Sequence, residues 1–468
     1  MITRIQIDGF KSFRNFQTEF SPLTVIAGAN ASGKSNLFDA LHLLSRLAEV
    51  DLKTAFSSLR GEPIEQFTYY GDGQYTNTMS FVVDLLVNQQ VKDNWGGVAK
   101  IKFTRLRYSL SIERVTNEHG INEMFVARET LEPIKKQDDQ WAKVNIPNEA
   151  AKDWILSNSK YNLRVEVSSL KDEPLSVVLQ DGKYKGYTVG NTVVTKVRLQ
   201  QTYISGFNKI ETPHLLAVQQ EMKQWQFPIL SPEALSQPSP YYAEDTDLSS
   251  GENLAAVLHR IKAEDTFAFR AIARKLNSLV PSLTDLDVID DKTNQQYIIQ
   301  VKGQNERRFS SRVMSAGTLR LLALCVLNYD EAYKGVLAFE EPENGIHPFR
   351  IKDVLHLLTE LSTDFTDIAF PLRQVIINTH SPVLVRDTFA LDRSQSTTVW
   401  LAQLVTQVTN IMNKRITLSI TKILPVEASQ TTINYSEAEA KLTVAQVIKY
   451  LESATAEGVI ETLTHPNE

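Results

Sequence analysis

The chain has 468 residues, 42% of them hydrophobic and 22% charged, which is ordinary globular material with room for two or three domains. Lys and Arg number 49 against 55 Asp and Glu, a net charge of −6, so no global basic excess marks a nucleic-acid binder, although a local basic strip stays open. A single cysteine, Cys325, excludes an internal disulfide framework and any Cys-x-x-Cys zinc site, and no window reaches eighteen apolar residues. The opening MITRIQIDGFKSF alternates apolar and polar instead of joining a charged head to an apolar run, so a cytoplasmic protein without a membrane span is expected.

In chain order, MITRIQIDGFKSFRNFQTEF alternates as a half-buried strand pair with a turn at Asp8-Gly9, and PLTVIAG is a short apolar run of the buried-strand type. Gly28, Ala29, Asn30, Ala31, Ser32, Gly33, Lys34, Ser35 and Asn36 follow, with the spacing Gly-x-x-x-x-Gly-Lys-Ser. Leu37, Leu41, Leu44 and Ala48 then fall three or four apart, the stripe of an amphipathic helix. Strand, glycine loop and helix together form the context in which this spacing cradles phosphate on backbone N–H groups.

From Tyr70 to about Gln201 the segments MSFVVDLLV, IKFTRLRYSLSIERV, YNLRVEVSSL and LSVVLQDGKYKGYTV alternate between turns, predicting an inserted β-rich lobe. HLLAVQQEMKQW reads as a helix, the stretch after it carries four prolines and reads as an extended surface connection, and LAAVLHRIKAEDTFAFRAIARKLNSLV is strongly helical. No internal repeat, low-complexity tract or heptad pattern long enough for an extended coiled coil is present.

Three later segments carry chemistry. VLAFEEPENGIHP runs four apolar residues into Glu340 and Glu341, at the strand end where α/β sheets bind ligands. Glu340 would hold Mg²⁺ and Glu341 would orient the water that attacks a γ-phosphate; a solvated acidic strand end is the alternative. Ser315 and Gly317 stand before a long apolar helix, where they form either a second anion site or an ordinary cap. QVIINTHSPVLV is a buried-strand run ending at His380, either functional or structural.

The order of these four parts is that of ATP-binding-cassette ATPases. GANASGKSN, MSAGT, VLAFEEPENGIHP and NTHSP resemble the motifs of the RecF, SMC and OLD-like branch, and FEEPENGIHP and NTHSP are similar to stand-alone ATPases of bacterial defence operons such as the PtuA subunit of Septu. The resemblance covers about residues 1–48 and 307–385. It implies that Gly28, Asn30, Gly33 and Lys34 wrap the β- and γ-phosphates of ATP, that Ser35 and Glu340 ligate Mg²⁺, and that Glu341 is the catalytic carboxylate. It further implies that Ser315 and Gly317 contact the ATP of a second copy, that His380 senses the γ-phosphate within its own head, and that Asn344 to His347 couple two sites across a homodimer or higher oligomer. The family's metal-linking glutamine could be Gln66, Gln200 or Gln201, and Arg60 is either a phosphate contact or a solvated loop residue.

The fold expected is α/β: an ATPase head with a phosphate-loop sheet flanked by helices, an inserted β-rich lobe and a C-terminal extension. Its parts are residues 1–69 and 296–400 of the head, the lobe at 70–213, a helical region at 214–295 and an interaction tail at 401–468. The tail holds two strand-like runs and a helix with Leu442, Val447 and Leu451 on one face, suited to a partner, another copy or its own domain. Function is read as an ATPase that regulates a separate effector, an HNH-type nuclease, in anti-phage defence. The alternative is a RecF-like DNA-binding repair ATPase using Lys100, Lys102, Arg105, Arg107 and Arg114; a transporter subunit fits poorly. No nuclease is expected in this chain, since Asp387 and Asp392 are too isolated after His380 to form a metal site.

Overall fold

Parallel pairing of strands drawn from both ends of the chain builds the central sheet. In the computed structural model, which describes residues 1–169, 176–185, 198–206, 209–246, 248, 250–391, 397–411, 414–427 and 442–453, the order is Gly335–Glu340, Arg373–Thr379, Leu23–Ala27, Thr397–Ile411, Lys414–Glu427 and Leu442–Thr443. The first four strands run parallel, and Lys414–Glu427 returns antiparallel as the second arm of a hairpin. These strands are apolar on both faces because both faces are covered. Ile26, Val336, Ala338 and Ile376 join the core that holds the helix Lys34–Leu47, whereas Val25, Leu337, Phe339, Val375 and Ile377 face the helices Leu254–Glu264, Ala316–Tyr329 and Ile351–Leu361. The architecture is therefore mixed α/β, a central sheet flanked by helices.

The strand pair expected at the N terminus forms as Ile2–Asp8 and Phe16–Glu19, antiparallel in the register Arg4↔Glu19. Most strands of 70–213, expected as an inserted β-rich lobe, continue this pair, while Gln74–Tyr75 and the pair Gln90–Lys92 with Val98–Lys100 stand in small two-stranded sheets. Thr78–Leu86 pairs with Ile2–Asp8, and Arg105–Thr116, Asn122–Pro133, Leu163–Ser168, Ser176–Asp181 and Tyr184–Lys185 extend it into one eight-stranded antiparallel sheet. The reason is burial: Phe81, Leu110 and Ile112 share one core with Ile5, Ile7, Leu41 and Leu44, so the sheet closes over the Lys34–Leu47 helix.

Of two other expected boundaries, one falls within a strand and one splits a hairpin. The strand Thr397–Ile411 crosses residue 400 and belongs to the central sheet, and the region expected to be helical ends in the strand Leu283–Asp291, which pairs with Gln296–Gly303. The long helical run after Leu254 breaks at Asp265, whose carboxylate accepts from Phe267 and Ala268 N–H and caps the second helix, Thr266–Leu279. In the tail, Val447 and Leu451 are buried in the central core, so that helix packs on its own domain, while the side chain of Leu442 and all of Asp392 lie outside the described residues. Among the described residues no helix is long and apolar enough to cross a membrane.

Two arginines of the strip considered for DNA are engaged internally, while Lys100 and Lys102 are exposed. Arg105 is 3% exposed and forms a bidentate pair with Asp139, and Arg107 does the same with Asp84.

Glu129, buried on Asn122–Pro133, accepts from Tyr108 Oη at 3.0 Å and from the N–H groups of Tyr203 and Ile204, tying the sheet to the segment that follows it. Burial pushes its pKa up from the ordinary 4.5 to about 7, against the lowering effect of those hydrogen bonds. A raised folded-state value means that the stabilisation carried by the proton is complete below the unfolded pKa and is lost as pH rises through the folded one. The melting temperature should therefore fall between about pH 5 and pH 8, and Glu129→Gln should flatten that fall in thermal denaturation followed by circular dichroism.

Candidate nucleotide-binding site

Three strand ends meet here. Ala27 is in register with Thr379, and Asn378 with Glu340, so the chain leaves all three strands on the same side of the sheet. Gly28 N–H donates to Thr379 O at 3.1 Å, which fixes the start of the glycine loop to its neighbour. The loop then turns through Ala31 (φ +60°) and Gly33 (φ +91°) into the N terminus of Lys34–Leu47. Gly33 is required twice, by its left-handed backbone and because an added Cβ would overlap Thr421 Oγ1 on the C-terminal hairpin.

Asn30, Ala31, Ser32, Gly33, Lys34, Ser35 and Asn36 line a cavity of about 190 Å³ together with Glu340, Glu341 and Asn378. Lys34 Nζ donates to the carbonyls of Gly28 and Ala29, both at 2.7 Å. Burial pulls its pKa below the ordinary ammonium value, while Glu341, Glu340 and Glu343 act in the opposite direction. Ser32 Oγ is buried with no hydrogen-bond partner.

Opposite the loop, the Glu341 carboxylate is held on both oxygens, by His380 Nδ1 at 2.8 Å and Asn344 Nδ2 at 2.6 Å. Its backbone is left-handed, φ +47°, and its N–H donates to Asn378. Glu340 is exposed and takes only a 3.4 Å contact from Asn378 Nδ2, leaving its carboxylate open. Backbone N–H groups at a helix N terminus, one buried ammonium, the Ser35 hydroxyl, an open carboxylate and the orphaned Ser32 hydroxyl fit a triphosphate with Mg²⁺.

The structure thus brings together the glycine loop, Glu340 and Glu341, with His380 reaching them through Glu341. It does not bring in Ser315 or Gly317. Ser315 is an exposed N-cap that accepts from Thr318 N–H, and Gly317 backs onto Gly345, where a Cβ would lie 3.1 Å from the carbonyl. Arg60 donates to Asp39 and lines a larger adjoining cavity of about 720 Å³ that also borders Glu340 and Glu341. Gln66 is buried with its amide bonded to the carbonyls of Arg60 and Glu62, and Gln200 and Gln201 are exposed; none of them lines either cavity. Gln226 instead bridges the outer edge of Gly335–Glu340 at Leu337.

Three contributors lie beyond the expected set. Asn378 orients both glutamates and was visible as a polar residue ending an apolar strand. Glu343 is buried, takes the Thr379 hydroxyl on Oε1 and has no partner on Oε2, and burial holds its pKa above the ordinary carboxylate range. Thr421 joins Ser12 Oγ at 2.7 Å and Ser32 O at 3.3 Å, and Asn36 Nδ2 donates to the same Ser12 at 2.8 Å. Nothing local in the sequence marks that last contact.

Comparison with known proteins places this site in a class. Residues 195–386 match the family described as "AAA domain, putative AbiEii toxin, Type IV TA system", and residues 4–45 match a second AAA domain. The two spans contain the glycine loop, the Ser315 helix, Glu340, Glu341 and His380. The chain is 33% identical over 109 residues to the chromosome partition protein Smc of Halothermothrix orenii, a match covering 22% of this chain and spanning 8% of that relative's length. The chain is thus similar in sequence to AAA domains over these two spans and to an SMC protein over a short one.

Among solved structures, the SMC head domain from Thermotoga maritima aligns over 91% of this chain and 99% of its own, with 12% identity and a TM-score of 0.38. An SmcHead bound to the C-winged helix domain of ScpA aligns over 91% and 97%, with 14% identity and a TM-score of 0.47.

Gly33→Ala should cost about 1–2 kcal/mol of stability, because it places a Cβ at positive φ and against Thr421. It should also abolish binding of a fluorescent ATP analogue, whereas Gly61→Ala, outside the site, should leave that binding intact.

Proposed function

We propose that this chain is a cytoplasmic ATPase whose nucleotide is sandwiched between two copies, and that it regulates a separate HNH-type effector nuclease in anti-phage defence. The observation that carries the reading is the division of the site. Each chain gathers the glycine loop, Ser35, Glu340 and Glu341 around one cavity, while its Ser315 N-cap stays exposed outside it, available to another copy. The defence setting is supported by the likeness of FEEPENGIHP and NTHSP to defence-operon ATPases and by the toxin named in the matched family's description.

In this reading Lys34 exchanges the Gly28 and Ala29 carbonyls for phosphate oxygens. Its burial makes that exchange favourable, since a low-dielectric site strengthens the attraction of an ammonium for a phosphate anion. Ser35 and Glu340 would hold Mg²⁺, which supplies charge neutralisation at the phosphates. Glu341 takes the proton of the attacking water, with Asn344 and His380 fixing the direction of its two oxygens. Because the Ser315 N terminus meets the γ-phosphate only from a second copy, ATP binding contributes free energy to association and hydrolysis withdraws it.

Glu341→Gln should retain ATP, lower turnover by roughly 10²-fold or more, and shift the mass measured by light scattering to a dimer or larger when ATP is present. Ser315→Arg should bind ATP normally yet show no ATP-dependent gain in mass. An unchanged mass for Glu341→Gln with ATP would sink the sandwich.

A further inference from the structure

Among the described residues, the C-terminal hairpin carries an open edge that does not line the nucleotide cavity. Thr397–Ile411 is fifteen residues long, but it pairs with Leu23–Ala27 only over Thr397–Leu401. Beyond that it has one paired neighbour among the described residues, its own return arm Lys414–Glu427. The Ala402 carbonyl points to the side vacated by Leu23–Ala27, since a Cβ on Gly28 would sit 2.7 Å from it. Backbone direction alternates with period two, so the N–H and C=O groups of Leu404, Thr406 and Val408 lie along that same side.

This edge lacks the usual protections. Gln403 to Asn410 reads QLVTQVTN, with no charge, proline or glycine, whereas exposed edges are normally blunted by lysine, proline or bulges. Leu404 is 46% and Val408 49% exposed, on one face with exposed Thr406.

We infer that this edge pairs antiparallel with the same edge of a second copy, about a two-fold axis at Thr406. That register sets Leu404 of each copy against Val408 of the other and Thr406 against Thr406, and it makes about six inter-chain backbone hydrogen bonds. Shifting it by two residues in either direction opposes Leu404 to Thr406 or to Asn410 and loses the apolar match. The uncharged strand carries no like-charge repulsion against its own copy, and an isologous contact of this kind closes on itself as a dimer. The inference does not rest on ATP. Combined with an ATP-dependent face, it would give assemblies larger than a dimer.

The test is sedimentation equilibrium of the full chain without nucleotide. Wild type should self-associate, and Thr406→Lys and Thr406→Glu should each raise the dissociation constant at least about tenfold, because like charges then meet on the axis. An equimolar mixture of the two variants should restore association. Thr406 is exposed, so unchanged thermal melts verify folding. Wild type that stays monomeric without nucleotide, variants that associate as wild type does, or a mixture that fails to recover would each overturn the edge pairing. Association seen only with ATP and indifferent to Thr406 would overturn it while leaving the sandwich reading intact.

Discussion

The structure depends on one constraint: Leu23–Ala27 must lie between Arg373–Thr379 and Thr397–Ile411, parallel to both, with Ala27 in register with Thr379 on one side and Leu401 on the other. A strand buried on two faces and hydrogen-bonded on two edges has no freedom to slide, since a one-residue slip would exchange its two cores. The glycine loop begins where that rigidity ends. The Gly28 N–H is fixed to Thr379, and Gly33 lies against Thr421, so the loop is clamped from both neighbours before any ligand arrives. The C-terminal hairpin thereby backs the glycine loop, through Thr421, without lining the cavity itself.

Charge is distributed along the same strands in opposite senses. At the ligand end, Lys34 faces exposed Glu340, half-buried Glu341 and buried Glu343, a carboxylate excess that a divalent cation would balance. At the far end, Arg373 is 5% exposed and its guanidinium donates to the carbonyls of Tyr333, Asn328 and Asp330, a neutral cage that leaves its charge without a carboxylate contact. The far end thus closes Arg373 on backbone carbonyls, whereas the ligand end keeps an open carboxylate, Glu340.

What the sequence made legible was local. Period-two and period-3.6 patterns located the strand pair, the glycine loop, the Lys34–Leu47 helix and the strands ending at Glu340 and Thr379, because each is decided within a few residues. Its boundaries failed where pairing is long-range. Thr78–Leu86 joins Ile2–Asp8, and Thr397–Ile411 joins Leu23–Ala27, and no pattern inside either segment reports its partner. The same holds for side chains: Arg105 read as part of a basic strip until Asp139 was found across from it, and Thr421 looked like any strand threonine. The Asp265 break was locally encoded as an N-cap, but the continuous apolar spacing on both sides masked it.

The clamp on the loop also determines where a change in Lys34 would be felt. The carbonyls that Lys34 engages belong to Gly28 and Ala29, and the N–H of the preceding peptide, that of Gly28, donates to the Thr379 carbonyl; the Thr379 hydroxyl donates to Glu343 and accepts from the Ser381 N–H. Any anion that draws the ammonium off those carbonyls therefore frees the peptide next to the one tied to the strand that leads to His380. On the opposite side the same loop touches Ala402 and Thr421, the root of the hairpin. The loop is therefore held from two sides, by the strand that leads to His380 and by Thr421 of the hairpin.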